Sequence, residues 1–157
     1  MSDVIARYPL FCGFRELIIG NGWAAGVEAY GRVLAEHEAG GWWFYGVNPG
    51  AISAGGSTRE EAHARLREQF QLFLFDTAEE APSFEAFRAE VDRFFRSTNA
   101  GSEELWLDAV REVRAGRVTL HELQKQAAES QISLKVDELQ QMKASDNKVP
   151  EGTKVAA

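Results

Sequence analysis

The histidines and the single cysteine carry the most versatile side-chain chemistry in this chain. His37, His63 and His121 lie far apart, and no H-E-x-x-H motif or cysteine at ligand spacing accompanies them. Protein zinc sites use ligands at short, regular spacings, so we expect no metal site. His37 stands between two glutamates that could raise its pKa, but such a strand histidine is more often a surface residue. Cys12 has no activating neighbour and is interpreted as a packed or idle thiol.

Two other patterns could bind ligands. Gly55-Gly56-Ser57 precedes a predicted helix and could hold an anion, but no lysine follows as in a P-loop, which favours a helix cap. The aromatic group Trp42, Trp43 and Tyr45 could stack on bases. Because no basic residue is interleaved, a core or a protein interface is the favoured interpretation. With no assembled set of catalytic groups, we predict that the protein is not an enzyme.

Composition and charge narrow the class of protein. The chain has 157 residues, 45% hydrophobic and 26% charged, which suits one buried core. One cysteine and the absence of a leader pattern predict a cytoplasmic protein, and no apolar run approaches the roughly 18 to 20 residues of a membrane span. Residues 1–85 carry six Lys and Arg against twelve Asp and Glu. This acidity disfavours contact with nucleic acid and suits a basic protein partner, although it would also serve solubility alone.

The N-terminal elements are indicated by short-range patterns. Residues 1–13 show no sustained period and are predicted to be a loosely packed lead-in. Residues 14–19 fit a strand closed by the Gly20-Asn21-Gly22 turn, whereas residues 23–28 fit a helix or a strand equally well.

A three-stranded antiparallel meander is predicted next. Residues 32–38 alternate like a half-buried strand, and a turn at residues 39–41 leads into the aromatic strand 42–47, which we expect to be an inner strand. Asn48-Pro49-Gly50 then turns the chain so that residues 51–54 can fold back beside it.

Helices follow the meander. Ser57 with Glu60, or Thr58 with Glu61, forms a capping box for a helix that should cover the sheet. Its apolar stripe is Ala62, Leu66, Phe70, Phe73 and Leu74. A second helix, capped by Ser83, is expected to lie on Leu72 and Phe75, and its stripe is Phe84, Phe87, Val91, Phe94 and Phe95. Helices over 102–115, ended by Gly116, and 119–130 follow.

The predicted fold class is α+β, a small antiparallel meander sheet of three or four strands covered by one amphipathic helix, followed by C-terminal helices and a disordered tail. We divide the chain into a domain over residues 14–81, a helical extension over 82–130 and a tail over 131–157. The tail balances four lysines against four acids and has few large apolar residues after Leu139, which is typical of disorder. Residues 132–136 alternate like the ribbon of a ribbon-helix-helix motif, but no convincing helix follows.

Residues 30–76 contain, in order, a strand, a Gly-Gly turn, an aromatic strand, a Pro-Gly turn, a small strand and a capped helix. This order of elements resembles the HicB-type antitoxin family. The matching positions are Gly40, Gly41, Pro49, Gly50, Gly56, Thr58, Glu60, Glu61 and Ala62. The family usually has Pro-Asp-Leu-Pro-Gly where this chain has Gly46-Val47-Asn48-Pro49-Gly50, without the acid and the first proline.

The resemblance implies a partial ribonuclease-H-like fold without catalytic carboxylates. It also implies that the protein neutralises a small basic ribonuclease toxin of the HicA type. Many family members also carry a C-terminal module that binds operator DNA. Among the residues of the matched stretch, Glu36, Glu38, Trp43 and Tyr45 are our candidates for partner contacts, with the two glutamates as rim charges. No cofactor is expected.

The alternative function is a nucleic-acid-binding transcriptional regulator that acts through the C-terminal helices. The helices over 102–115 and 119–130 could begin a helix-turn-helix motif. However, Lys135 is the only basic residue in the segment 131–139 that would follow. We therefore favour packing or formation of a homo-oligomer as the role of these helices. An uncharacterised enzyme is the third interpretation, and it lacks a site.

Overall fold

The structure of the protein, a computed structural model, describes residues 4–117 and 131–139. These residues form an antiparallel sheet and three helices, which confirms the α+β class predicted from the sequence. In chain order the elements are β1 Val4–Ile19, β2 Ala24–Glu38, β3 Gly41–Gly46, β4 Ser53–Gly56, α1 Arg59–Glu80, α2 Phe84–Arg96, α3 Ala100–Arg114 and β5 Ser133–Leu139.

Strand β2 is the centre of the sheet. It pairs with β1 along its whole length, from Ala24 opposite Ile19 to Glu38 opposite Val4. On its other side, residues 33–38 pair with β3 and residues 24–30 pair with β5, so β3 and β5 lie end to end. Strand β4 continues the meander beyond β3. The aromatic strand is therefore an inner strand, as predicted.

The prediction of a loosely packed lead-in over residues 1–13 is wrong from Val4 onwards. Leu10, Cys12, Phe14 and Ile18 of β1 are buried and all occupy even-numbered positions, which is the pattern of a strand with one face on a core. Of residues 23–28, which fitted either a helix or a strand, residues 24–28 belong to β2.

The prediction of a disordered tail is wrong for residues 133–139. These residues form β5, in which Val136 stands opposite Val27 and is buried. A strand that joins an existing sheet gains its backbone hydrogen bonds from the neighbouring strand, so it can form with few buried side chains. In β5, Val136 is the one buried residue. Residues 140–157 and the predicted helix over 119–130 lie outside the described residues.

Helix α1 covers one face of the sheet, which we call the α1 face. Its sheet-facing stripe of Ala62, Leu66, Phe70, Leu74 and Ala78 is buried. Thr58 is the N-cap, and its hydroxyl oxygen accepts a hydrogen bond from the Glu61 N–H at 3.0 Å. The Glu61 carboxylate in turn accepts from the Ser57 N–H at 2.8 Å. These bonds satisfy backbone donors at the helix start, as a capping box does.

Helix α2 packs on the same face beside α1, with Phe84, Phe87, Val91 and Phe95 buried. The contact with α1 is a stacked pair of Phe73 and Phe94, whose ring centroids are 3.6 Å apart. The prediction that α2 covers Leu72 and Phe75 is wrong, because both residues are exposed. Leu72 is two residues from Phe70 and from Leu74, so it lies about 200° around the helix from the buried stripe.

Helix α3 packs on the opposite face, which we call the α3 face. Trp106 and Ala109 form a small apolar cluster with Leu34 and Val47. The Trp106 Nε1 donates a hydrogen bond to the Leu10 carbonyl at 3.2 Å, which ties α3 to β1. Gly116, with φ of 79°, follows the helix end as predicted.

Polar contacts fix α3 in addition to the apolar cluster. The Arg32 guanidinium donates to Asn48 Oδ1 and to Glu103 Oε2, each at 2.8 Å, and it lies 5.2 Å from the centre of the Trp106 ring. The buried Asn48 amide donates to the Thr98 hydroxyl at 2.7 Å. The loop after β3 and the start of α3 are thus joined through one arginine.

Candidate partner-binding surface

The four residues predicted to contact a partner lie together on the α3 face, on β2 and β3. In the strand register Glu36 stands opposite Trp43, and Leu34 stands opposite Tyr45. Because side chains two residues apart share a face, Glu38 belongs to the same row as Glu36. The structure therefore brings these residues to one side of the sheet.

Trp43 is the most prominent side chain of this group. It is 39% exposed, and its ring lies 6.1 Å from the ring of Tyr45. Gly55 of β4 stands opposite Trp43, and a Cβ at position 55 would lie 2.0 Å from the indole. The indole can therefore lie over β4 only because residue 55 has no side chain.

Glu36 does not have the exposure expected of a rim charge. It is 6% exposed, and its Oε2 accepts a hydrogen bond from Arg7 Nε at 2.8 Å. The interpretation of Glu36 as a rim contact is corrected accordingly, because its carboxylate is occupied inside the protein. Glu38 is half-buried and remains the candidate acid. We define the Trp43 patch as Arg7, Glu38, Trp43 and Tyr45.

The surroundings of Tyr45 raise the pKa of its phenol. Burial is the largest cause, and the negative charges of Glu36 and Glu38 add to it, while Arg7 acts in the opposite direction. Tyr45 also packs against the α3 cluster. The patch thus offers a neutral phenol hydroxyl, an indole and one carboxylate, groups that suit contact with another protein.

The sheet ends beside the patch at β4, where side chains of α1 occupy three of the outward backbone groups. The Gln69 side chain of α1 accepts from the Ser53 N–H at 3.2 Å and donates to the Ser53 carbonyl at 2.5 Å. Arg65 donates to the Gly55 carbonyl at 3.0 Å. A partner at this end would therefore contact side chains of the patch and would not add a strand.

Sequence reasoning missed two residues of this surface. Arg7 was overlooked because residues 1–13 were interpreted as a lead-in, although it pairs with Glu36 across β1 and β2. Gly55 was assigned to the approach to the helix. The Trp43 and Gly55 pairing could have been found by aligning the aromatic strand with the small strand across the Asn48-Pro49-Gly50 turn.

The histidines that the structure describes are not brought together as a site. His37 stacks on Trp42 at 4.4 Å with an angle of 9° between the rings. It lies on the α1 face, whereas its sequence neighbours Glu36 and Glu38 belong to the α3 face. His63 lies near Phe44, and burial, followed by the charge of Arg67, lowers the pKa of its imidazole.

Further observations concern ligands and membranes. Burial raises the pKa of the Cys12 thiol to about 12, which makes it unreactive at neutral pH. Within residues 4–117 and 131–139, no three His, Cys, Asp or Glu side chains are grouped so that they could hold a metal ion. None of the described helices combines the length and the apolar character that crossing a membrane requires. His121 lies outside the described residues.

Comparison with protein-family models, with curated proteins and with solved structures finds no match for this chain.

Proposed function

We propose that the protein is a HicB-like antitoxin whose Trp43 patch binds a small basic ribonuclease and covers the surface that cleaves RNA. The observation that carries the proposal is the exposed Trp43 beside Tyr45 and Glu38 on one face of the sheet. Its second support is the sequence resemblance over residues 30–76. The chain itself takes no chemical part in this function.

The composition of the patch suits a protein interface. Tryptophan, tyrosine and arginine are the residue types that contribute most to binding energy when a partner excludes water from them. Trp43 is held against β4 before binding, so little side-chain entropy remains to be lost when a partner covers it. The half-buried Tyr45 connects this exposed ring to the α3 cluster.

Charge supports a basic partner. Residues 1–85 carry twice as many acidic as basic residues, and the net charge of the chain is −7. Such a field speeds the approach of a basic protein and opposes the approach of RNA. The proposal therefore predicts association that slows as the salt concentration rises.

The test is an inhibition assay with a small basic ribonuclease of the HicA type, which the proposal expects to be encoded beside this chain. Purified full-length chain is titrated into an RNA-cleavage reaction of that ribonuclease, and complex formation is measured by calorimetry. We expect stoichiometric binding with loss of cleavage. The proposal is overturned by a chain that leaves cleavage unchanged, by the absence of such a neighbouring ribonuclease, or by RNA cleavage by the nuclease-free chain alone.

A variant pair connects the binding to the patch. Trp43→Ala should weaken the complex by roughly 2 kcal/mol, or about thirtyfold, which is the size of an interface hot spot. Leu72→Ala removes a more exposed apolar side chain from the outer side of α1 and should leave affinity unchanged. Equal affinities of the two variants would move the binding surface away from Trp43.

A further inference from the structure

Glu38 gives the Trp43 patch a negative charge that the described part of the chain does not compensate. Within residues 4–117 and 131–139, its carboxylate takes part in no hydrogen bond and no ion pair. The residue is half-buried, so a partner that covers the patch would also remove water from this carboxylate.

The neighbouring charges are already paired. Arg7 Nε lies 2.8 Å from Glu36 Oε2, so this arginine and this glutamate compensate each other. At the sheet edge, Arg65 donates to the Gly55 carbonyl, and its guanidinium lies 3.0 Å from Glu61 Oε2. Two ion pairs therefore surround the patch, and Glu38 remains its uncompensated charge.

The register places the carboxylate beside the exposed indole. Glu38 stands opposite Gly41, two positions from Trp43 on the same strand and on the same face of the sheet. Such diagonal neighbours have their Cα atoms about 7 to 8 Å apart, a distance that long side chains can bridge. The indole covers the place where a Cβ of residue 55 would be, so its other side is turned outward.

A partner that covers this surface has to meet both the ring and the charge. An apolar side chain on Trp43 would exclude water from Glu38 and leave the carboxylate without a hydrogen bond, which weakens a complex. A cation can lie on the indole, because the face of an aromatic ring is negative, and can pair with the carboxylate as well. The patch is therefore complementary to a basic side chain.

Between the two basic side chains, arginine fits better than lysine. The guanidinium is planar and weakly hydrated, so it can stack on an indole while N–H groups at its edge donate to a carboxylate. The lysine ammonium is compact and strongly hydrated, and it has no flat surface to stack.

We infer, on the basis of the function proposed above, that an arginine side chain of the partner occupies the Trp43 patch. Its guanidinium lies on the outer side of the Trp43 indole and donates to the Glu38 carboxylate. The hydroxyl of Tyr45, whose ring is 6.1 Å from that of Trp43, borders the same position.

The experiment titrates the full chain with blocked single amino acids and follows the indole N–H signal of Trp43 by nuclear magnetic resonance. The chain has four tryptophans, so Trp43→Phe is used to assign the signal. The probe is N-acetyl-arginine methylamide. The citrulline compound, which has nearly the same shape without the charge, and the lysine compound, which has the charge without the plane, are its controls.

We expect a saturable shift of the Trp43 signal with arginine, a smaller affinity for lysine, and at least about tenfold weaker binding of citrulline. Glu38→Gln should weaken arginine binding at least about tenfold as well. Glu28→Gln makes the same change of charge at an exposed position of β2 and should leave the binding unchanged. No saturable shift with arginine, equal binding of citrulline, or equal weakening by both glutamine variants would overturn the inference.

Titration with the HicA-type ribonuclease separates this inference from the proposed function. A ribonuclease that binds the parent chain should bind Glu38→Gln at least about tenfold more weakly and Glu28→Gln equally well. If arginine binds at Trp43 but the ribonuclease does not bind, the antitoxin function is refuted and the arginine site stands. If the ribonuclease binds parent and Glu38→Gln equally, the arginine site is refuted and the antitoxin function stands.

Discussion

The two faces of the sheet are stabilised in different ways. On the α1 face, α1 and α2 bury a continuous core that extends from Phe14 on β1 to Phe95 on α2. On the α3 face, a cluster of four buried apolar residues is accompanied by Arg32, its hydrogen bonds and Glu103. Apolar burial has no direction, whereas polar contacts depend on the position of each atom. The α1 face therefore supplies most of the stability, and the α3 face fixes the position of one helix.

The buried polar residues follow the same division. Those that the structure describes are Glu36, Asn48 and Ser102. All three lie on the α3 side, on β2, in the loop after β3 and on α3. A buried polar group destabilises the fold unless its hydrogen-bond partners are in place. Substitutions that remove such a partner on the α3 face should therefore lower stability. Glu36 adjoins the Trp43 patch, because it stands opposite Trp43 and accepts a hydrogen bond from Arg7.

The largest expected effect is on the α1 face. Phe70→Ala removes a fully buried ring that contacts Phe14 at 4.7 Å between centroids, and it should lower the free energy of unfolding by about 3 to 5 kcal/mol. Urea denaturation measures the change. Leu72→Ala on the same helix should change stability by no more than about 0.5 kcal/mol. Similar losses for the two variants would contradict the buried stripe of α1.

A smaller and local effect is expected on the α3 face. Arg32→Ala leaves the buried Asn48 without its donor and removes the contacts with Glu103 and Trp106, which should cost about 1 to 3 kcal/mol. Amide exchange should become faster in α3 while the amides of α1 keep their protection. Arg15→Ala removes an exposed ion pair with Glu28 and should change stability by less than about 1 kcal/mol. Uniform acceleration over both helices would show that Arg32 supports the whole fold.

The smallest effect concerns the pKa of Tyr45. Its folded-state pKa lies above the ordinary value of 10.0 because of burial and then of Glu36 and Glu38. Folding therefore disfavours the phenolate, and stability should fall as the pH rises above the ordinary tyrosine pKa. Glu38→Gln should lower the pKa of Tyr45, measured by ultraviolet titration, and Glu28→Gln should not. A Tyr45 pKa unchanged by Glu38→Gln would place that carboxylate away from the patch.

The sequence was most informative where its signals are local. The aromatic strand, the Asn48-Pro49-Gly50 turn and the stripe through Leu66 depend on residues close to one another in the chain, and each was predicted correctly for that reason. For the helix cap the sequence left two possibilities, and the structure has the one with Thr58 and Glu61. The fold class followed from their order.

The errors have a common physical cause, which is pairing between distant segments. Strand β5 is stabilised by β2, and neither its composition nor its period indicates that partner. The burial of Glu36 depends on Arg7, which lies in a segment without a clear period. The contact between α1 and α2 depends on which side of α1 faces α2, and that side carries Phe73, which packs against Phe94, and not Leu72. The resemblance to the HicB family and the partner contacts of the Trp43 patch stay predictions.

The double use of β2 has a consequence for the growing chain during synthesis. Ribosomes release the N-terminal strands first, so β1 and β2 can pair long before residues 133–139 exist. Until then, the backbone groups of residues 24–30 that later bond to β5 have no strand beside them. The nascent protein therefore passes through a stage in which residues 24–30 of β2 are an open sheet edge, an edge that β5 covers in the finished molecule. A protein truncated after α3 would lack β5, so strands of other molecules could pair with residues 24–30 in its place.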